Sequence, residues 1–467
     1  MTNLSDDEIK TVLGRVEICL GEERPRDAVA DLQRVLAAAP NHPMALCGAG
    51  RVSIQLGDNN AALQALDLAL AADPSLAEAR NARGAALQNL GRLSEAEMEF
   101  RRLVETLPDH PGPLLNLAAT LAAKGDVDPA EAMFVRVLEL RPGDPTAEYN
   151  LGLLRLLRGD LANGWKGFEF RDRASNVGLG RLQSTKPRWD GAVAPAAVLL
   201  VHAEQGLGDN IQFARFVALA AERVGQIIWE LPEPLTELFD GFPGVSRIIG
   251  RGQPLPDHDF HVPIMGLPAV LGADAAPLWR ASYVKSAPTS VAKWRARMVR
   301  RNPDSVHVGL VWAGNPAHKR DGERSVPFQA LEPLFKVPGV TLHSLQIGVA
   351  GDQATQVAFA NSMGRLFRMT HPFPDVAAAI SALDLLISVD TSLVHLAGAL
   401  GRPVWTMVTH VPDWRWMLGR ADTPWYPTMR LFRQSKAGDW TGAIAEVAEA
   451  LEGFDPRQSP RQSVEAG

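Results

Sequence analysis

Asp384-Leu385-Leu386-Ile387-Ser388-Val389-Asp390-Thr391-Ser392-Leu393-Val394-His395-Leu396-Ala397-Gly398-Ala399-Leu400-Gly401-Arg402-Pro403 is the stretch from which the fold of this chain can be read. Leu385 to Val389 is a short apolar run with β-branched residues, the pattern of a strand buried on both faces of a parallel sheet. Asp390, Thr391 and Ser392 end that strand. Ser392 is placed to cap a helix running through Leu396 to Leu400, and Gly401 with Pro403 closes the helix before a second strand, Val404 to Val408. Strand, polar turn, helix and strand make one parallel α/β unit. The free N–H groups and positive dipole end of its helix lie at the carboxyl edge of the sheet, where phosphates and nucleotides bind.

Toward the amino terminus the same grammar recurs. Val306 to Trp312 is an apolar strand that runs into Ala313-Gly314-Asn315-Pro316-Ala317-His318-Lys319-Arg320-Asp321-Gly322-Glu323-Arg324-Ser325. Lys319, Arg320 and Arg324 at a strand end suit a diphosphate, and they also fit a solvated charged loop. Earlier, Ala196 to His202 reads as a strand, Glu204-Gln205-Gly206-Leu207-Gly208-Asp209-Asn210 as a turn, and Ile211 to Val224 as a helix with Phe213, Phe216 and Val217 on one face. Gly206 and Gly208 leave room for a ligand against the backbone. Gln226 to Leu231, Ser246 to Ile249 and Phe260 to Ile264 are further strands. Asp257-His258-Asp259 only precedes a strand, so no metal is assigned, and His261 either faces the cleft or is structural. Trp414, Arg415, Trp416, Trp425 and Tyr426 either wall a pocket or pack beneath a long loop. Thr441 to Leu451 is a last helix.

The first third has a period of its own. Pro40, Pro74, Pro108 and Pro142 stand 34 residues apart; Gly57, Gly91, Gly125 and Gly159 keep that step, as do Ala28, Ala62, Ala96 and Ala130, and Gly50, Gly84, Ala118 and Gly152. Small residues let the two helices of a hairpin approach, Gly turns the chain between them, and Pro ends the second helix. This pattern resembles the tetratricopeptide repeat over residues 8 to 172, with a degenerate first unit at Val16 and Glu23. In the last unit Trp165, Phe168 and Phe170 are placed to dock the array onto the next domain. Arrays of this kind grip an extended peptide or partner. Asn116 and Asn150, at equivalent positions, resemble the peptide-gripping asparagines of eukaryotic O-GlcNAc transferase and equally fit locally bonded amides.

Asp390-Thr391-Ser392-x-x-His395-x-Ala397-Gly398-Ala399-x-Gly401-x-Pro403 resembles the donor-binding loop of bacterial heptosyltransferase-type glycosyltransferases. The resemblance covers about residues 196 to 435 and implies a GT-B fold of two Rossmann-like halves, an acceptor half at 196–300 and a nucleotide-sugar half at 301–435. It places Thr391, Ser392 and His395 against the diphosphate of the donor, although Ser392 can be only a cap and His395 a core histidine. It also places Asp209 at the family's Gly-Asp, facing the acceptor hydroxyl as general base. Asp209-Asn210-Ile211-Gln212 is a capping-box pattern as well.

The whole chain thus reads as a repeat solenoid over 1–175, a linker at 176–195, the two halves, and a terminal helix and tail at 436–467. Fusion to repeats is similar to bacterial protein O-glycosyltransferases, some of which modify flagellin. The implied activity is inverting, metal-independent transfer from a nucleotide sugar, needing no cofactor, to a protein acceptor. The alternatives are a glycan or lipid acceptor, or an inactive repeat scaffold. A net charge of -6 and the lack of a Lys/Arg cluster argue against nucleic-acid binding. Two cysteines, Cys19 and Cys47, in apolar helical contexts, an acidic amino terminus and no apolar run approaching ~20 residues point to a cytoplasmic protein without a membrane span.

Overall fold

The computed structural model describes residues 4–174, 184–272, 282–300, 302–318, 320–367 and 369–458. The chain divides into two compact units, Met1–Leu154 and Arg155–Gly467. The division falls inside a helix, ahead of the linker expected at 176–195, and 175–183 lie outside the described residues.

The first unit is helical throughout: α1 (Asp6–Gly21), α2 (Pro25–Ala38), α3 (Pro43–Gln55), α4 (Asn59–Ala72), α5 (Ala77–Asn89), α6 (Leu93–Thr106), α7 (Pro111–Lys124), α8 (Val127–Leu140) and the start of α9 (Pro145–Arg158). Each odd-numbered helix from α1 to α7 packs on the even-numbered one after it. The 34-residue step has direct structural causes. Gly57, Gly91, Gly125 and Gly159 turn the chain at φ of +85°, +74°, +87° and +88°, a region that suits glycine because it has no Cβ. Glu23, at the equivalent place in the degenerate first unit, takes φ +56° without being glycine. A Cβ on Gly50 would sit 2.5 Å from Leu66, and one on Gly84 2.6 Å from Phe100, so a larger residue would wedge the hairpins apart. Val16, the other departure from the pattern, is buried with Leu32 and Val35.

The second unit opens with α10 (Leu161–Phe168) and a 3-10 turn, Glu169–Asp172, and then forms two parallel sheets. The first sheet holds β1 (Ala194–His202), β2 (Val224–Leu231), β3 (Arg247–Gly250) and β4 (Phe260–Pro263) in the order β3-β2-β1-β4, with Leu199 facing Ile227 on one side and Phe260 on the other. The second holds β5 (Val306–Val311), β6 (Val340–Ser344), β7 (Gly364–Arg365), β8 (Leu385–Val389), β9 (Val404–Val408) and β10 (Met429–Arg433) in the order β10-β9-β8-β5-β6-β7. Val308 pairs with Leu342 and with Leu385. Leu310, Ile387, Val389 and Met407 are buried in its core, as two-sided burial demands of near-continuous apolar strands.

Strand order reverses beside β5 in the second sheet and beside β1 in the first, and crevices open at the carboxyl ends of such strands. From those ends run α11 (Leu207–Ala221) after β1, α12 (Phe373–Ala382) after β7, and α13 (Ser392–Ala399) after β8; α14 (Thr441–Glu452) follows β10. The helix expected over 211–224 thus begins earlier, at Leu207, and ends at Ala221, because Val224 already opens β2. Ser392 is the first residue of α13, and the cap is Thr391, whose hydroxyl accepts from the Leu393 N–H at 3.3 Å.

Candidate functional site

A cavity of about 1070 Å3 lies at the carboxyl ends of strands from both sheets. Gln205 to Asp209 line it from the first sheet; the loops after β5, β7, β8 and β9 line it from the second. Gly206, Gly208, Asp209, Asn315, Arg320, Arg324, Asp390, Thr391, Ser392 and His395 all reach this one cavity. Lys319 lies outside the described residues. Asn116 and Asn150 belong to the helical array.

Asp209 is the third residue of α11. One carboxylate oxygen accepts from the Gly206 N–H at 2.8 Å, so it reaches back to the helix start rather than capping toward Gln212. Its other oxygen pairs with Arg415. Burial pushes the Asp209 carboxyl up, against the pull of the Arg415 guanidinium. Gly208 lines the cavity and has a packing role as well. A Cβ there would meet the His395 ring at 2.9 Å and the Ser392 backbone at 3.3 Å, so this glycine brings the first turns of α11 and α13 together.

On the second sheet, Thr391 and Ser392 present the start of α13 to the cavity. Its polar N–H groups there suit an anion. The loop after β5 is shaped by Gln346, whose side-chain oxygen accepts from the N–H groups of Trp312 at 3.1 Å and Ala313 at 3.0 Å. Asn315 accepts from the Ala317 N–H at 3.0 Å and tightens the loop. Arg324 pairs with Asp321 at 3.0 Å, and the more exposed Arg320 pairs with Glu323 at 2.8 Å and donates to the Val411 carbonyl at 3.1 Å. Phe367, Phe373 and Val376 add apolar surface to the cavity lining.

His395 lines the cavity yet is buried: Nδ1 is 3.0 Å from the Tyr426 hydroxyl and its ring stacks on Trp416 at 5.4 Å. Burial holds its pKa well below the usual imidazole value, so the ring is neutral. Asp390 accepts from the Trp416 indole at 2.8 Å; burial and then the nearby Asp413 raise it to about 6. Trp414, Trp416, Trp425 and Tyr426 are themselves buried and pack beneath the loop rather than walling the cavity. Trp165 of α10 packs edge-on against Phe168, Phe213, Trp414 and Trp425, which seats that helix in the second unit.

Arg415, Gln212 and Asp413 are the site residues that sequence reasoning missed as a group. The signal in the chain is faint: charged residues interleaved with tryptophans in Asp413-Trp414-Arg415-Trp416. Asp259, in the acidic triplet, accepts from the Val198 N–H at 2.8 Å, and Asp257 pairs with Lys186 at 3.2 Å. Among the described residues no three His, Cys, Asp or Glu side chains gather as a metal site, and no helix is long and apolar enough to cross a membrane. His261 lies 5.5 Å from His202, ring to ring, and does not line the cavity. In the array, Asn116 donates to Asn81 of the preceding repeat at 2.9 Å and Asn150 to the Thr146 carbonyl of its own helix at 2.7 Å, so both amide nitrogens are engaged within the array.

Residues 20–77, 49–111 and 87–154 match the tetratricopeptide-repeat family, so the amino-terminal region consists of these repeats. The chain is 27% identical over 431 residues to Protein FlbA of Caulobacter vibrioides, a match that covers 86% of this chain and 71% of that protein. Among solved structures it is similar to MamA from Desulfovibrio magneticus RS-1, at 19% identity and a TM-score of 0.32 over 37% of this chain and 100% of that one. It is similar also to PilW, a type IV pilus biogenesis factor, at 24% identity and a TM-score of 0.33 over 36% of this chain and 77% of that one. The amino-terminal unit is therefore a tetratricopeptide-repeat solenoid, and the carboxyl-terminal unit is an α/β domain of parallel sheets.

Proposed function

We propose that this protein is an inverting, metal-independent glycosyltransferase of GT-B architecture, which moves a sugar from a nucleotide-activated donor onto a protein recruited by the repeats. The observation that carries this reading is the convergence of Asp209 from the first sheet with Arg320, Arg324 and the start of α13 from the second in one cavity. A donor diphosphate would be held by Arg320, Arg324 and the Ser392 N–H, with its nucleobase toward Phe367 and Phe373. The acceptor oxygen attacks the anomeric carbon opposite the phosphate. The bond to the phosphate oxygen breaks, the nucleoside diphosphate leaves with the electron pair, and Asp209 takes the acceptor's proton. Neutral His395 is suited to donate a hydrogen bond to the leaving group while remaining tied to Tyr426. Flagellin is an acceptor class consistent with the fusion to repeats.

Calorimetry with ADP, GDP and UDP on the full chain tests the donor side. Arg320→Ala with Arg324→Ala should weaken binding by roughly 1.5–3 kcal/mol per lost charged hydrogen bond. Unchanged affinity in the folded double variant would remove this loop from the site. Asp209→Asn should slow release of nucleoside diphosphate from a hydrolysed donor by about 100-fold or more. If neither these three nor CDP, dTDP and the nucleoside monophosphates bind, the protein is a repeat scaffold without a donor site.

A further inference from the structure

Arg415 joins the two sheets through charge. Its Nε donates to the Gln212 side-chain oxygen at 2.6 Å, Nη1 to Asp413 at 2.8 Å, and Nη2 to Asp209. Gln212 and Asp209 both belong to α11, whereas Asp413 and Arg415 belong to the segment after β9. The guanidinium lies 4.3 Å from the Trp414 ring centroid, and the Arg415 backbone carbonyl accepts from the Trp425 indole at 2.9 Å, so both the side chain and the backbone of Arg415 are held. Only 8% of the side chain is accessible. A planar fork with every terminal nitrogen engaged is far more rigid than a lysine in the same place.

We propose that Arg415 is the positioning residue of the cleft: it pairs with the Asp209 carboxylate and fixes its direction toward the cavity, joining α11 to the second sheet as it does so. The consequence for turnover rests on Asp209 being the base; the contact itself does not. With one oxygen on the Gly206 N–H and the other on Arg415, the carboxylate cannot rotate, and lone pairs remain on both oxygens to receive a proton from the cavity. The other charges that bear on this pair are Asp413, Glu204 and Asp390. All three are acidic, so without Arg415 nothing among them would favour an ionised Asp209. His395, packed on Gly208, is neutral and contributes no charge.

A double-mutant cycle on the full chain tests this without any donor. Melting temperature is followed from pH 5 to pH 8 in wild type, Arg415→Gln, Asp209→Asn and the double variant. Arg415→Gln leaves a buried, unpaired carboxylate, so its melting temperature should fall by several degrees at pH 8 and by less at pH 5, where that carboxylate takes a proton. Adding Asp209→Asn should restore most of the loss and flatten the pH dependence, because the buried carboxylate is gone, while Asp413, which also loses Arg415, is 37% accessible and keeps the backbone N–H of position 415. Gln212→Leu, which removes a neutral partner, should show no such pH dependence. Additive losses in the double variant, or an Arg415→Gln defect equal at both pH values, would reduce Arg415 to packing and overturn the proposal. Should the cycle couple as expected while Asp209→Asn still turns over a donor, the positioning contact stands and the assignment of Asp209 as base falls.

Discussion

Two ion pairs show how differently the repeat array and the α/β unit are held together. Arg51 and Glu17, one repeat apart, meet at 2.5 Å with side chains 32% and 50% accessible. Arg171 and Glu204 meet at 2.8 Å with 2% and 8% accessible, and Arg171 also reaches Glu169 at 2.8 Å. Water screens the first pair, and exposed pairs contribute up to about 1 kcal/mol. The second pair has no water to replace a lost partner, so breaking it strands a charge. The Arg51 pair is therefore a small contribution, and the unit that carries the cleft depends on the buried Arg171 pair; the array has its own buried carboxylate in Glu99, held by Arg80 and Arg83. Glu204 stands next to Gln205 and Gly206 of the cavity wall, so that dependence extends to the site itself.

The sharpest way to break this contrast is to remove one arginine from each region. Arg171→Met should destabilise the protein by about 3–5 kcal/mol. Arg51→Ala should cost less than about 1 kcal/mol. Equal losses in urea unfolding would show that burial does not separate the two pairs.

A smaller effect on folding, but a large one on function, comes from where the chain is cut. Removal of residues 1–143 keeps α9, α10 and Arg171 with the second unit, whereas a cut at Ser184 discards Trp165 and Arg171 and leaves Glu204 unpaired. The shorter deletion should yield a soluble domain that binds nucleotide normally. Its transfer to a protein acceptor at dilute concentration should fall by about 100-fold, as the repeats no longer raise the local concentration. Full transfer by that domain would move the acceptor site away from the repeats, and good solubility after the Ser184 cut would show that the contacts of Trp165 and Arg171 matter little.

Acid should expose the buried chemistry of the second unit more gently. His202 is pushed down to about 3 by burial, with His261 and Arg171 adding to it. The unfolded chain binds that proton near 6.5 and the folded protein does not until about 3, so stability is intact above 6.5 and declines as pH falls through that window. His202→Phe should make the melting temperature less sensitive to pH between 6.5 and 4; an unchanged slope would mean that His202 does not govern the loss. Least affected should be Asn116→Ala with Asn150→Ala. Their local bonds predict a stability change under about 1 kcal/mol and a few-fold loss of protein transfer. Unaltered transfer would leave these two asparagines a purely local role.

Much of this architecture was legible because its causes lie close together in the chain. A 34-residue period requires a left-handed glycine between helices and a small residue beneath Leu66 or Phe100, and each demand is met by a neighbour one hairpin away. The strands Leu385–Val389 and Val404–Val408 fall where the apolar runs put them, since both are buried along their whole length, with only Ser388 and Thr406 polar among them. Ten of the residues singled out around the cleft come together because strand ends and helix starts are local features, and a parallel sheet gathers them at one edge. What sequence alone could not supply was the partner of each charge. Whether Thr391 or Ser392 caps α13 depends on one backbone torsion, and Gly208 is explained by a helix from the other sheet. Arg415 and Asp209 stand 206 positions apart, with no period or motif linking them. Only the packing of α11 against the segment after β9 places that guanidinium on that carboxylate, and a contact made by topology leaves no trace in local sequence.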